Sequence, residues 1–99
     1  MAVKTIIRTD AFAAWFRGLR DRAAAARIAI RIDRLTLGNP GKFRNLTGGV
    51  REMKVDYGPG YRVYFTERAG EIVILLCGGN KKSQEADIAA AIRMVSELE

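Results

Sequence analysis

Polar side chains that could bind and cleave RNA alternate along two predicted strands on either side of a Gly-Pro-Gly turn. Within residues 51–65 the turn is flanked by Val55 and Tyr57 on one side and by the β-branched and aromatic run 61–65 on the other, a pattern that predicts an antiparallel hairpin. Because successive side chains of a strand point to opposite faces, we expect Lys54, Arg62 and Tyr64 on one polar surface. Cations beside an aromatic ring suit phosphate oxygens and a stacked base.

Cleavage of RNA by its own 2′-hydroxyl requires a base, charge stabilisation on the phosphorus and help for the leaving 5′-oxygen. Lys54 is the candidate base because neighbouring cations favour its neutral form, and Glu52 on the same strand face is the alternative base. Arg62 is suited to holding the phosphate. Lys82, or Lys81 beside it, is expected to neutralise or protonate the leaving oxygen. The competing structural interpretation is a cross-strand ion pair of Glu52 with Lys54 or Arg62.

Composition favours a nucleic-acid partner and narrows the chemistry. The chain has 99 residues, a net charge of +6 and 48% hydrophobic residues, so we expect a single domain, residues 1–99, with an anionic partner. The alternative is that the excess charge only keeps a small protein soluble. The absence of histidine excludes Ser-His-Asp and zinc-hydrolase chemistry, and Cys77 is expected to be a small buried hydrophobe. These features predict no metal, no cofactor, no membrane span and a cytoplasmic location.

Hydrophobic periodicity and capping residues place the other elements. The order predicts an α+β fold in which an N-terminal strand and a helical hairpin pack on a mainly antiparallel twisted sheet, with a C-terminal helix. The most apolar strand, residues 72–77, is expected to be central. Residues 42–49 are read as a loop or irregular strand that brings Lys42 and Arg44 to the hairpin. The remaining predictions are a strand within 3–9, a helix from Thr9 or Asp10 to about Gly18, and helices over 21–35 and 84–98.

Three phrases of the sequence resemble a known family. They are EMKVDYGPGYRVYF at 52–65, LCGGNKKSQ at 76–84 and the LGNPG turn at 37–41. With the element order, they closely resemble the HigB-like addiction module killer branch of the RelE/ParE superfamily of bacterial toxins. The similarity covers nearly the whole chain.

This resemblance implies particular site residues. Lys54 and Arg62 correspond to basic residues of the ribonuclease members, and Lys82, or less securely Lys81, corresponds to the basic residue after the last strand. The RelE type has a further lysine where this chain has Glu52. It also has a tyrosine in the loop before the last helix, for which this chain offers only Ala86, Asp87 and Ile88. The expected RNA-binding residues are Lys81, Tyr64, Arg44 and Lys42.

The resemblance also implies a function and partners. Such proteins are similar to translation-dependent endoribonucleases that cleave mRNA on the ribosome. Each is held inactive, in a hetero-oligomer, by an antitoxin that carries a DNA-binding domain. The alternative is a ParE-like inhibitor of DNA gyrase that cleaves no bond, because one fold can serve different targets. A third reading is a degenerate toxin that only binds its antitoxin.

Overall fold

The computed structural model describes residues 3–98 as a five-stranded mixed sheet with three α-helices. In chain order the elements are β1 (Thr5–Arg8), α1 (Asp10–Arg17), α2 (Arg22–Thr36), β2 (Phe43–Asn45), β3 (Arg51–Val55), β4 (Tyr61–Arg68), β5 (Ile72–Gly79) and α3 (Gln84–Glu97). The strand order is β1-β5-β4-β3-β2, with β1 parallel to β5 and every other pair antiparallel. The predicted α+β architecture, including the helical hairpin and the C-terminal helix, is confirmed.

The helical hairpin covers one face of the sheet, and its two helices begin where the sequence predicted, after Thr9 and after Asp21. The Thr9 hydroxyl accepts from the Phe12 N–H at 3.1 Å, and the Asp21 carboxylate accepts from the first turn of α2. The inward stripe of α2 consists of Ala24, Ile28, Ile32 and Leu35, all of which are buried. They pack with Phe12 and the apolar side chains of β3, β4 and β5 in a continuous core. This core lies between the sheet and the two helices α1 and α2.

The opposite face of the sheet is covered by α3. A second core contains Val50, Tyr64, Ile74, Leu76 and Ala91, with the predicted apolar stripe of α3 packed against it. Both faces of the sheet are therefore covered, and five consecutive residues of β4, 62–66, are buried. The middle strand is β4 rather than β5, although β5 is interior as its apolar sequence predicted.

Coverage by α3 corrects one prediction made from strand alternation. Glu52, Arg62 and Tyr64 were expected on an exposed polar surface with Lys54, but they are only 4%, 6% and 0% exposed. Alternation assigned them correctly to one face; the expectation was wrong because α3 packs over that face. Only the end of the sheet near Lys54 remains open, and this end positions the site. Among residues 3–98 no helix is long and apolar enough to cross a membrane.

Candidate functional site

A cleft of about 400 Å³ lies where the β3–β4 turn meets the loop before α3. Three cations line it: Lys54 on β3, Arg62 on β4 and Lys81 in the loop. Lys54 and Arg62 are direct cross-strand partners in the ladder, so their side chains emerge on the same face. The cleft falls within the size range of small-ligand sites, and its cations suit an anionic ligand.

Lys54 is exposed and paired with a carboxylate that the sequence analysis did not select. Its Nζ lies 3.2 Å from Asp56 Oδ1, and Asp56 also lines the cleft. Asp56 stands two residues after Lys54, a spacing that places both on one side of an extended chain. That spacing is the signal that could have identified Asp56. The cleft therefore contains a proton-accepting group next to a cation.

Arg62 is held almost entirely inside the protein at the edge of the cleft. Its side chain is 8% exposed, and its Nη1 donates to the Gly60 carbonyl at 2.9 Å. Its Nε lies 3.7 Å from Glu52 Oε2 and has no hydrogen-bond partner within the described residues. The guanidinium is thus oriented by a backbone carbonyl and a buried carboxylate. Such preorganisation suits a group that must hold an anion in one position.

Glu52 is the acceptor at the centre of a buried polar network. Its Oε1 accepts from Arg44 Nε at 2.6 Å, and its Oε2 accepts from the Tyr64 hydroxyl at 3.0 Å and from Gln84 Nε2 at 2.9 Å. Burial alone would raise the pKa of Glu52, but the hydrogen bonds from Arg44, Gln84 and Tyr64 outweigh it and hold this pKa below its ordinary value. Glu52 is therefore a buried carboxylate whose two oxygens are already engaged.

This geometry decides between the two interpretations of Glu52. The structural alternative is confirmed for Arg62, since the two groups form a buried ion pair along the diagonal of the β3–β4 ladder. Glu52 is not among the residues that line the cleft, and its oxygens accept from three other side chains. It cannot accept a proton from a ligand in the cleft without breaking this network. The predicted alternative base is therefore misplaced for that role.

Tyr64 is likewise removed from any ligand. It is fully buried in the core beneath α3. Burial, together with its hydrogen bond to the ionised Glu52, raises the pKa of its hydroxyl well above the usual value. The expectation that this ring stacks on a base or orients a sugar is wrong, because no face of the ring reaches solvent. Tyr64 instead fixes the orientation of Glu52.

The structure separates the two adjacent lysines before α3. Lys81 lines the cleft, whereas Lys82 is exposed outside its lining and its backbone N–H donates to Asn80 Oδ1 at 2.9 Å. Lys81, which the sequence analysis favoured less than Lys82, is thus the lysine that lines the cleft. On the other side of Lys54, Lys42 and Arg44 border a second, smaller concavity of about 130 Å³ that shares Lys54 with the cleft.

Gln84 is a contributor that sequence reasoning missed. It is the first residue of α3, and its amide ties that helix to Glu52 on β3, 32 positions earlier in the chain. A glutamine at the start of a helix carries no local signal for such a long-range bond. Within residues 3–98 no three Cys, Asp or Glu side chains are grouped as a metal site would require.

Comparison with known proteins places this arrangement in a fold class and a family. The fold matches that of the Escherichia coli toxin RelE, solved as a double arginine-to-alanine mutant in the free state, with a TM-score of 0.72 over 94% of this chain and 98% of that one, at 16% identity. Residues 14–95 match the family of phage-derived Gp49-like proteins (DUF891), and the chain belongs to this family. It is also 42% identical to an uncharacterised protein of Haemophilus influenzae strain Rd over 97% of this chain and 94% of that protein.

Proposed function

We propose that this chain is the toxin of a type II toxin–antitoxin module, a HigB-like member of the RelE/ParE superfamily that cleaves mRNA on the ribosome. The observation that carries the proposal is the convergence of Lys54, Arg62 and Lys81, from three separate segments, on one open cleft. The RelE-like fold and the Gp49-like family support the toxin class. The net charge of +6 supports RNA as the ligand.

The proposed reaction is cleavage of the RNA backbone by its own 2′-hydroxyl. The 2′-oxygen forms a bond to the adjacent phosphorus as the bond from phosphorus to the 5′-oxygen breaks. The products are a 2′,3′-cyclic phosphate and a free 5′-hydroxyl. One proton leaves the 2′-hydroxyl and one is delivered to the 5′-oxygen, so the site needs a proton acceptor and a donor. The nucleophile belongs to the substrate, so the reaction requires no cofactor.

Each charged side chain that lines the cleft has a role that fits its position. Arg62 holds the scissile phosphate, because a planar guanidinium fixed by Gly60 and Glu52 presents its charge in one orientation. The Lys54–Asp56 pair accepts the 2′-proton, with the carboxylate 3.2 Å from the amine. Lys81 neutralises or protonates the leaving oxygen. Glu52 acts on Arg62 rather than on RNA.

The ribosome completes a sparse catalytic set. The cleft is open, the fully buried Tyr64 does not reach it, and Tyr57 is the aromatic residue in its lining. A message already held in the decoding site would arrive in a fixed conformation, which replaces much of the positioning that the protein lacks. The same exposed charge explains the need for an antitoxin, and the proposed inactive state is a hetero-oligomer with it.

The decisive experiment maps new RNA 5′ ends minutes after induction of the protein without its antitoxin. We expect ends with 5′-hydroxyls inside translated frames. Arg62→Ala should reduce their yield by about 10²–10³-fold, the usual effect of removing one charge-stabilising donor. Arg62→Lys keeps the charge but loses the planar guanidinium, and its yield of new RNA ends should lie between those of wild type and Arg62→Ala. Thermal unfolding of each variant establishes that the fold is retained.

The adjacent lysines provide a matched control. Lys81→Ala removes a cation from the cleft lining, whereas Lys82→Ala removes the same charge from its neighbour outside the lining. We expect cleavage to fall in the first variant and to remain near wild type in the second. Equal effects would contradict the role given to Lys81. Growth arrest without new RNA ends would redirect the function to a gyrase-type target, tested by a supercoiling assay.

A further inference from the structure

The exposed side of α2 carries a seven-residue repeat of cationic and apolar side chains. Arg27 and Ile30 recur seven positions later as Arg34 and Leu37, the residue that follows the helix. Positions separated by three, four and three residues form one stripe along a helix. We call Arg27, Ile30, Arg34 and Leu37 the outer stripe. Because the inner stripe of α2 is buried in the core, the outer stripe faces solvent.

The two apolar members of the outer stripe are unusually exposed. Ile30 is 49% exposed and Leu37 is 58% exposed. A single exposed leucine on a protein surface needs no explanation, but two large aliphatic side chains seven residues apart, one on α2 and one at its C-cap, form a repeated contact point. They lie two helical turns apart, about 10 Å along the axis. This separation matches the heptad spacing by which one helix packs its apolar side chains against another.

The cationic members of the stripe border a groove beside it. This groove has a volume of about 270 Å³ and lies between α2 and the end of β3. Its lining residues are Arg27, Ile30, Arg31, Arg34, Val55 and Asp56. Within the groove Arg31 is committed to the fold, since its guanidinium donates to the carbonyls of Lys54, Pro40 and Lys42. Arg27 and Arg34 are the exposed cations.

Arg27 is held in place for an external contact. Its guanidinium stacks over the Tyr57 ring at 4.5 Å, while the residue itself remains exposed. Such stacking limits the side chain to few conformations, so less entropy is lost when an anion binds. The groove and the outer stripe thus combine a positioned cation, a second cation one heptad away and two exposed aliphatic groups.

We propose that the outer stripe of α2 binds an acidic amphipathic helix of a partner protein. Carboxylates at heptad spacing on the partner would pair with Arg27 and Arg34, and aliphatic side chains on the same face would cover Ile30 and Leu37. A nucleic acid would satisfy the arginines but offers nothing that favours burial of an isoleucine and a leucine. The alternation of the two residue types therefore selects a peptide helix over RNA.

The position of the stripe links this contact to the cleft. Asp56 lines both the groove and the cleft, and Tyr57, beneath Arg27, lines the cleft as well. A helix seated on the outer stripe would lie beside the turn that forms the mouth of the cleft. The inference rests on the proposed function in one respect, that the partner is the antitoxin and that its binding obstructs access of RNA.

The test uses a fluorescently labelled synthetic peptide of about three heptads, with leucine and glutamate at the positions that face the stripe. The control peptide has the same composition in scrambled order. Binding to the full chain is measured by anisotropy at low and high salt. We expect the heptad peptide to bind with an affinity that falls as salt rises. Ile30→Glu, Leu37→Glu and Arg34→Glu should each weaken binding at least about tenfold.

Leu98→Glu is the matched control, because Leu98 is also an exposed leucine but follows α3. It should bind the peptide as wild type does. Failure of the heptad peptide to bind, equal binding of the scrambled peptide, or unchanged binding by the three stripe variants would each overturn the inference. A single-stranded RNA that competes for the stripe and loses affinity in Arg34→Glu but not in Ile30→Glu would also overturn it in favour of RNA.

Failure of this inference is separable from failure of the proposed function. Ile30→Glu and Leu37→Glu alter no residue of the cleft, so cleavage of mRNA in cells should persist in both. Cleavage by the wild-type chain without peptide binding would overturn the inference alone. Peptide binding without cleavage would overturn the ribonuclease proposal and leave the docking surface standing.

Discussion

The two faces of the sheet are both buried but are stabilised differently. The face beneath α1 and α2 is filled with apolar side chains such as Phe12 and Phe65, which need only fit together. The face beneath α3 also contains an apolar cluster, but beside it lie Glu52 and Arg62, a carboxylate and a guanidinium that must compensate each other. The apolar face stabilises the fold, whereas the buried ion pair of the other face mainly orients a cation at the cleft.

The largest expected effect comes from removing one member of the buried Glu52–Arg62 pair and leaving the other in place. Glu52→Ala leaves the Arg62 guanidinium buried without its carboxylate and removes the acceptor of Tyr64 and Gln84. We expect the free energy of unfolding to fall by about 3–5 kcal/mol, as for other buried pairs that lose one partner. Urea denaturation monitored by circular dichroism measures this loss.

A double variant and a matched carboxylate sharpen this prediction. Glu52→Ala combined with Arg62→Met removes both charges and should recover part of the lost stability. Glu67 is the comparison, because it also pairs with two cations, Lys4 at 2.6 Å and Arg51 at 3.3 Å, but its side chain is 17% exposed whereas that of Glu52 is 5% exposed. Glu67→Ala should cost less than Glu52→Ala. An equal or greater loss of stability in Glu67→Ala would contradict the distinction between the buried Glu52–Arg62 pair and the more exposed ion pairs of Glu67.

Two consecutive glycines of β5 allow the two faces to be perturbed separately. A Cβ on Gly78 would lie 2.3 Å from the Trp15 ring on the α1 side, so Gly78→Ala should lower stability by about 1–3 kcal/mol through overpacking. A Cβ on Gly79 would lie 1.8 Å from Asp87 Oδ2 on the α3 side. Because that atom ends a side chain that can move, Gly79→Ala should cost about 1 kcal/mol, chiefly its hydrogen bond with Ser83.

The readout that separates these two variants is RNA cleavage relative to stability. Gly79→Ala disturbs the Ser83–Asp87 contact at the first turn of α3, which also carries Gln84, and should therefore reduce cleavage more than its small loss of stability suggests. Gly78→Ala should reduce cleavage only in proportion to the unfolded fraction. If the loss of RNA cleavage relative to the loss in free energy of unfolding is the same for both variants, the α3 face has no special role in orienting the site.

The smallest expected effect is a dependence of stability on pH, to which Glu52 contributes. The folded-state pKa of Glu52 lies below its ordinary value of 4.5, so its ionised form stabilises the fold. This contribution is fully present above about pH 4.5 and is lost as pH falls through the lowered pKa. Glu67, whose pKa is lowered chiefly by the hydrogen bond from Lys4, contributes with the same sign.

Glu52→Gln isolates the Glu52 contribution to this pH dependence. Glutamine keeps an oxygen acceptor but does not titrate, so the loss of stability on acidification should be shallower in Glu52→Gln than in wild type. Chemical denaturation at several pH values between neutral and acid measures the two slopes. Identical slopes would show that the Glu52 carboxylate does not change its pKa on folding.

Local chemistry explains which parts of the fold were predictable. Thr9 and Asp21 cap helices because their side chains satisfy N–H groups a few residues away, and the inner stripe of α2 follows from helical period alone. The hairpin of β3 and β4 follows from two β-rich runs around Gly58 and Gly60, both of which have positive φ. These features depend on residues close in sequence, so their patterns are visible in one chain.

The sequence alone determined that Glu52 and Lys54 share one face of their strand and that Arg62 and Tyr64 share one face of theirs, because side chains alternate along a strand; the observed register brings the two pairs to the same face. Only the tertiary structure decided that α3 covers three of them and leaves Lys54 open, that Lys81 rather than Lys82 reaches the cleft, and that Gln84 bonds to Glu52. The reason is physical. The apolar stripe of α3 required a partner surface, but many surfaces would satisfy it, and the choice is made by packing between segments far apart in the chain.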